Sequence, residues 1–135
     1  MDYKIRLIRL IRYLYYLSLV GLLILYLYPG SLLGYFFWGD FKKQPNFFPN
    51  PFGTSINHAL AFFYLSIVGL ISYIREGNFK QTIIFLLILS IVLELSHLII
   101  PNRSFESLDL FGNLIGTLLP IVIIFFYKRL KNGKI

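Results

Sequence analysis

The sequence predicts an all-α fold, an integral membrane bundle of four transmembrane helices with both termini in the cytoplasm. Hydrophobic residues make up 57% of the 135 residues and charged residues only 14%, whereas a soluble domain carries about 25% charged residues. The apolar residues gather into four runs, each close to the roughly 20 residues that a helix needs to cross a bilayer. A chain of this length has room for one membrane domain, which we predict over residues 1–135.

The first span follows a strongly basic start. Residues 1–12 are predicted to form a short, partly amphipathic helix at the cytoplasmic face, which either only orients the chain or also attracts anionic lipid. The uncharged run that follows predicts a transmembrane helix over residues 13–33, broken near its outer end by Pro29 and Gly30. This run is longer than the apolar core of about 7–15 residues in a signal peptide, so we expect a retained membrane anchor.

The connection over residues 34–55 is rich in proline and aromatic residues. Pro45, Pro49 and Pro51 exclude a continuous helix, and aromatic rings favour the headgroup level of a bilayer. We therefore expect either an interfacial connection or a lid over a site. The aromatic residues that support this expectation are Phe36, Phe37, Trp38, Phe47, Phe48 and Phe52.

Three further spans are predicted over residues 56–74, 82–100 and 108–127. With a cytoplasmic N-terminus, four spans leave ten of the 13 Lys and Arg residues on the cytoplasmic side, as the positive-inside rule favours. Because these basic residues flank the spans, the net charge of +7 does not indicate a nucleic-acid partner. The lack of cysteine excludes disulfides and thiolate metal sites.

Polar residues interrupt the apolar sequence at one common depth. His58 lies near the outer end of the second span, and Glu94 lies about 9 Å before the end of the third span at a rise of 1.5 Å per residue. An ionisable group inside a bilayer costs roughly a few kcal/mol and by default marks a functional site. We therefore predict a binding site on the outer-leaflet side, formed by His58, Glu94, His97, Arg103, Asp109 and Asn113.

Helical spacing supports this convergence. Glu94 and His97 are three residues apart and share one helix face, and Asp109 and Asn113 share a face of the next span. Gly112 and Gly116 form a pair of small residues four apart, which lets two membrane helices approach closely and would bring the two polar faces together.

Residues 94–116 also carry three motifs with a family resemblance. These are Glu94-x-x-His97, Pro101-x-Arg103 and Asp109-x-x-x-Asn113-x-x-Gly116. They resemble the VanZ-like family of small membrane proteins, which has Glu-x-x-Gln, Pro-x-Arg and Asp-x-x-x-Asn-x-x-Gly in this order and spacing. The family's Asp-Lys-x-x-His-Phe stretch aligns with residues 54–59, where Thr54 and Ser55 replace Asp-Lys and His58 is retained. The resemblance implies a multi-span membrane protein, and the name-giving members confer low-level resistance to teicoplanin, a glycopeptide that acts on cell-wall precursors outside the membrane.

The polar residues allow four interpretations. In the first, Arg103 pairs with Glu94 or Asp109, and the cluster only fixes the positions of the helices. In the second, Arg103 holds the phosphate or carboxylate of a headgroup or lipid-linked precursor, His58 and Asn113 orient it, and Glu94 contacts a hydroxyl or amine.

The third interpretation is catalysis on a lipid-linked substrate. Glu94 and His97 are the candidate catalytic residues, as general acid or base, and Ser104 or Ser107 could act as a nucleophile with His97 and Asp109. The fourth interpretation is a metal site, which is disfavoured because di-iron bundles need two copies of Glu-x-x-His and this chain has one. We therefore predict no metal and no cofactor.

The favoured prediction is a protein of the bacterial cytoplasmic membrane that binds or modulates a lipid-linked envelope component and thereby affects glycopeptide susceptibility. Its expected partner is a membrane lipid or a lipid-linked envelope precursor, and a homo-oligomer is left open. The alternative prediction is a membrane-embedded hydrolase or transferase that acts on a lipid headgroup or wall precursor.

Overall fold

The computed structural model describes residues 3–45 and 55–131, which form five α-helices and no strand. Four of these helices, all except α2, are long and apolar enough to cross a membrane. The predicted all-α fold, with four helices long and apolar enough to cross a membrane, is therefore confirmed for these ranges. The helices are α1 (Tyr3–Leu27), α2 (Leu32–Trp38), α3 (Ser55–Tyr73), α4 (Phe79–Ser96) and α5 (Ser107–Lys131).

Helix α1 differs from the prediction at both ends. The basic start and the first span form one continuous helix of 25 residues, because no proline or glycine separates them and arginine favours helices. The helix ends at Leu27 rather than at residue 33, because Pro29 cannot donate a backbone hydrogen bond and Gly30 adopts a φ of 92°.

The short helix α2 lies where the sequence predicts an irregular connection. Ser31 caps its start by accepting a hydrogen bond from the Gly34 N–H at 2.9 Å, and Gly39 ends it in the left-handed conformation. Residues 46–54 of the predicted lid, including Phe47, Phe48 and Phe52, lie outside the described residues.

The other three spans lie close to their predicted positions. Helix α3 differs from the predicted 56–74 by one residue at each end. Helix α4 ends at Ser96, four residues before the predicted end, since Pro101 disfavours helical geometry in the residue before it and the intervening residues form tight turns. Helix α5 continues through Pro120 to Lys131.

Helix α3 lies at the centre and packs most closely against α5. A Cβ atom added at Gly112 would overlap the carbonyl oxygen of Ser55, and one at Gly116 would overlap that of Ala59. The close approach therefore brings α5 against α3, the helix of His58, and not against α4 as the sequence suggested. The two helices can pack this closely because Ser55 and Ala59 of α3 have small side chains, which leave the α3 backbone accessible to α5.

The helices alternate in direction, which gives the bundle two different ends. At one end the C-termini of α1 and α4 meet the N-termini of α3 and α5, as the contacts of Tyr26 with His58 and of Glu94 with the Glu106 N–H show. We call this the cluster end. The opposite end, called the basic end, holds the start of α1, the turn between α3 and α4, and the end of α5.

Candidate functional site

Six polar side chains from four helices and the turn after α4 come together at the cluster end, and we call them the polar cluster. Glu94 and Asn113 are fully buried, and His97, Asp109 and Tyr26 are at most 7% exposed. Only His58 is partly exposed. The structure thus brings together five of the predicted site residues and adds Tyr26, and only Arg103 lies apart from them.

Tyr26 connects the members of the cluster. Its hydroxyl donates to Asn113 Oδ1 at 2.7 Å and lies 2.8 Å from His58 Nδ1. Its ring stacks on the His97 ring with the centroids 5.5 Å apart. The residue pattern does not single out Tyr26, because it is one of ten tyrosines. Its depth in the predicted span could have indicated its role. Tyr26 lies just before the break at Pro29, near the outer end of the first span, and His58 lies near the outer end of the second.

Counting protons determines the tautomer of His58. The Asn113 Nδ2 group faces two acceptors, the Ser90 carbonyl at 3.2 Å and Glu94 Oε2 at 3.5 Å, so its Oδ1 is the atom that faces Tyr26. The single hydroxyl proton of Tyr26 goes to Asn113, and His58 Nδ1 must therefore carry a proton and donate it to Tyr26. His58 Nε2 lies 3.5 Å from Asp109 Oδ2, so this nitrogen faces the Asp109 carboxyl group.

Both ring nitrogens of His97 also face acceptor groups, one of them on Glu94. His97 Nε2 lies 3.3 Å from the Tyr26 carbonyl oxygen, which can only accept a hydrogen bond. His97 Nδ1 lies 3.4 Å from Glu94 Oε1. Glu94 Oε1 also accepts the Glu106 N–H at 3.2 Å. This backbone group lies at the N-terminus of α5, where the helix dipole stabilises a carboxylate.

These contacts correct the predicted catalytic triad. Asp109 pairs with His58 and accepts the Ser55 hydroxyl at 2.7 Å, while His97 pairs with Glu94. Ser104 and Ser107 are exposed. Asp109 therefore orients a different histidine from the one that the triad requires. Among the described residues, no group of three or more acidic or histidine side chains is arranged to hold a metal ion.

Arg103 also differs from its predicted role as a partner of Glu94 or Asp109. Its guanidinium donates to the carbonyl oxygens of Leu25 at 2.5 Å and Tyr28 at 3.3 Å. These carbonyls lie where the helical hydrogen bonds stop before Pro29, and Arg103 therefore caps the end of α1. Burial lowers the pKa of Arg103 from its usual range, but a guanidinium stays charged at neutral pH.

A cavity of about 110 Å³ lies beside the polar cluster. An apolar cavity of about 150 Å³ takes a benzene molecule, so this volume suits one small chemical group, such as a phosphate. The Nη1 group of Arg103 has no acceptor among the described residues, so its two N–H groups remain for an occupant. The polar wall of the cavity includes Asn57, His58, His97 and Arg103, and the apolar wall includes Leu25, Leu32, Leu33 and Ala61.

The substitution Tyr26→Phe is expected to lower the free energy of unfolding by about 1–2 kcal/mol, because it removes two hydrogen bonds in the membrane interior. Tyr28→Phe is the matched control, since its hydroxyl forms no hydrogen bond among the described residues. Thermal unfolding in detergent measures both variants. Equal midpoints for the two would contradict the assigned role of Tyr26.

Comparison with known proteins adds no relative to this description: no family model, curated protein or solved structure matches the chain.

Proposed function

We propose that the chain is a VanZ-like integral membrane protein of the bacterial cytoplasmic membrane, and that its cavity binds the anionic headgroup of a lipid or lipid-linked envelope component. The observation that carries the proposal is the Nη1 group of Arg103, which has no acceptor among the described residues, at a cavity with an apolar wall. A charged donor suits phosphate, and Leu25 and Leu33 suit the hydrocarbon next to a headgroup.

The polar cluster supports binding more than catalysis. Both nitrogen atoms of His58 and both of His97 face protein atoms, so neither imidazole has a free nitrogen to act as a base on an occupant. Their role in the proposal is to hold the cavity wall in place. The orienting role that the sequence suggested for His58 then acts through its ring, which lines the cavity.

The distribution of charge supports an outward-facing cavity. Nine of the described Lys and Arg residues lie at the basic end, and only Lys42, Lys43 and Arg103 lie at the cluster end. By the positive-inside rule, this distribution favours cytoplasmic termini and a cavity on the outer side.

Cysteine labelling tests this orientation, because the chain has no cysteine of its own. In intact cells, a membrane-impermeant maleimide is expected to label Ser104→Cys at the cluster end. It is expected to label Gly77→Cys only after the cells are opened. Gly77 is exposed and a Cβ there meets nothing within 4 Å. Labelling with the opposite pattern would reverse the proposed orientation.

Titration with two anionic lipids tests headgroup binding. Short-chain phosphatidylglycerol represents a membrane lipid, and a short polyprenyl phosphate represents a lipid-linked wall component. A ligand that binds only the folded state raises the unfolding temperature, and we expect this for one or both lipids. Arg103→Gln is expected to weaken binding at least ten-fold, about 1.4 kcal/mol, whereas the matched control Lys43→Ala keeps it.

Equal affinity of Arg103→Gln and the native chain would contradict the proposal. Each titration is referred to the unfolding temperature of the same variant without lipid, because loss of the α1 cap lowers that temperature by itself. If the physiological ligand is a wall precursor, expression of the native chain, and not of Arg103→Gln, is expected to reduce susceptibility to teicoplanin.

A membrane-embedded hydrolase or transferase is the second candidate function. The observation that favours it is Glu94, a fully buried carboxylate beside His97, whose ring lines the cavity. Glu94→Gln keeps the size of the side chain and cannot exchange a proton. If that variant keeps the full cellular effect of the native chain, Glu94 is not an acid or base and this alternative fails.

A further inference from the structure

A second recess, separate from the cavity beside Arg103, lies toward the basic end of the bundle. Its volume is about 310 Å³, and it runs between α1 and α4 over the end of α3. Helix α1 packs mainly against α3, which leaves the side between α1 and α4 open toward the bilayer. The residues that line it include Tyr16, Leu19, Tyr73, Asn78 and Phe85.

The recess changes from polar to apolar along the membrane normal. Asn78 lies at the turn before α4, whereas Phe85 lies seven residues further into the helix, about 10 Å deeper at 1.5 Å per residue. On α1, Leu19 is likewise deeper than Tyr16. A phospholipid has the same order of chemistry, with a polar headgroup at the surface and an acyl chain below it.

The polar part of the recess has hydrogen-bond donors that the protein does not use. The hydroxyls of Tyr16 and Tyr73 lie 2.6 Å apart. One proton lies between them, so the second hydroxyl proton is available to an acceptor outside the pair. The Asn78 side chain is exposed and forms no hydrogen bond among the described residues, so its amide N–H groups are also available. Phosphate and ester oxygens of a lipid accept such bonds.

The charge of this end favours an anionic lipid. Nine described Lys and Arg residues lie at the basic end, and Glu76 is the only described acidic residue there. Glu76 is paired with Arg12, which also lies 4.7 Å from the centre of the Tyr73 ring. Basic residues at a membrane surface attract anionic headgroups by about 1 kcal/mol each.

We propose that the recess between α1 and α4 is a binding site for one anionic phospholipid of the leaflet at the basic end. The phosphate accepts hydrogen bonds from the Tyr16–Tyr73 hydroxyl pair and from Asn78, and an acyl chain packs along Leu19 and Phe85. The site does not depend on the proposed function of the cavity beside Arg103, because the two share no lining residue.

Native mass spectrometry tests the proposal on protein released from bilayers of equal parts phosphatidylglycerol and phosphatidylcholine. Leu19→Trp fills the recess and is expected to reduce the number of retained phosphatidylglycerol molecules by one. Leu17→Trp is the matched control, because it adds the same group two residues away on α1, where the native side chain is 71% exposed. Arg103→Gln is expected to leave this lipid in place.

A second variant removes donors without adding bulk. Tyr16→Phe combined with Asn78→Ala is expected to lower the ratio of retained phosphatidylglycerol to phosphatidylcholine at least three-fold, and Tyr13→Phe is expected to leave it unchanged. The proposal is overturned if Leu19→Trp and Leu17→Trp retain equal numbers of phosphatidylglycerol molecules, or if the double variant keeps the native ratio.

Discussion

Glu94→Leu is expected to lower the free energy of unfolding by about 3–5 kcal/mol, the usual cost of removing one partner from a buried charged pair. Glu94 is fully buried and receives contacts from His97, His58, Asn113 and the backbone N–H of Glu106. Leucine accepts none of these hydrogen bonds, so the donors stay buried without a partner. Thermal and denaturant unfolding in detergent measures the effect.

Glu106→Gln is the matched control for this prediction. Its side chain is exposed, and only its backbone N–H contacts Glu94, so the substitution is expected to change stability by less than about 0.5 kcal/mol. The free energy of unfolding of Glu94→Gln is expected to lie between those of Glu94→Leu and Glu106→Gln, because glutamine keeps an acceptor oxygen for the Glu106 N–H. If Glu94→Leu is as stable as Glu106→Gln, the polar cluster does not hold the helix ends together.

Gly116→Ala is expected to destabilise the bundle by about 1–3 kcal/mol, the usual cost of overpacking. A Cβ atom at this position overlaps the backbone carbonyl oxygen of Ala59, which cannot move aside as a flexible side chain can. Helices α3 and α5 must therefore separate, and Asn113 on α5 moves away from Tyr26 and Glu94. We expect a lower unfolding temperature together with weaker lipid binding.

The matched control is Gly21→Ala in α1, where an added Cβ meets nothing within 4 Å. Alanine is favoured over glycine inside a helix by about 1 kcal/mol, so this variant is expected to be as stable as the native chain or more stable. A destabilisation of the same size at both positions would mean that glycine flexibility, and not close contact between α3 and α5, explains the result.

The sequence was sufficient to predict the spans and the depth of the site. Hydropathy predicts where helices cross a bilayer, and a regular rise per residue predicts depth, so His58, Glu94, His97, Asp109 and Asn113 meet in the structure. Depth does not specify rotation about the helix axis. For this reason the sequence could not tell which helix Gly112 and Gly116 contact, or which histidine pairs with Asp109.

Two other features depend on contacts in three dimensions that no residue pattern displays. Arg103 binds carbonyl oxygens that are exposed because α1 ends at Leu27, six residues earlier than predicted. Tyr26 became a member of the cluster because its hydroxyl reaches the gap between His58 and Asn113. A tyrosine near a span end is common, and only three-dimensional proximity distinguishes this one.

Identification of the lipid that co-purifies with the chain tests the central proposal most directly. The protein is extracted in mild detergent, and bound lipids are released and measured by mass spectrometry for the native chain, Arg103→Gln and Lys43→Ala. We predict about one molecule of an anionic phospholipid or polyprenyl phosphate per chain that is lost in Arg103→Gln and kept in Lys43→Ala. The same lipids in the same amounts in all three proteins would contradict a headgroup site at Arg103.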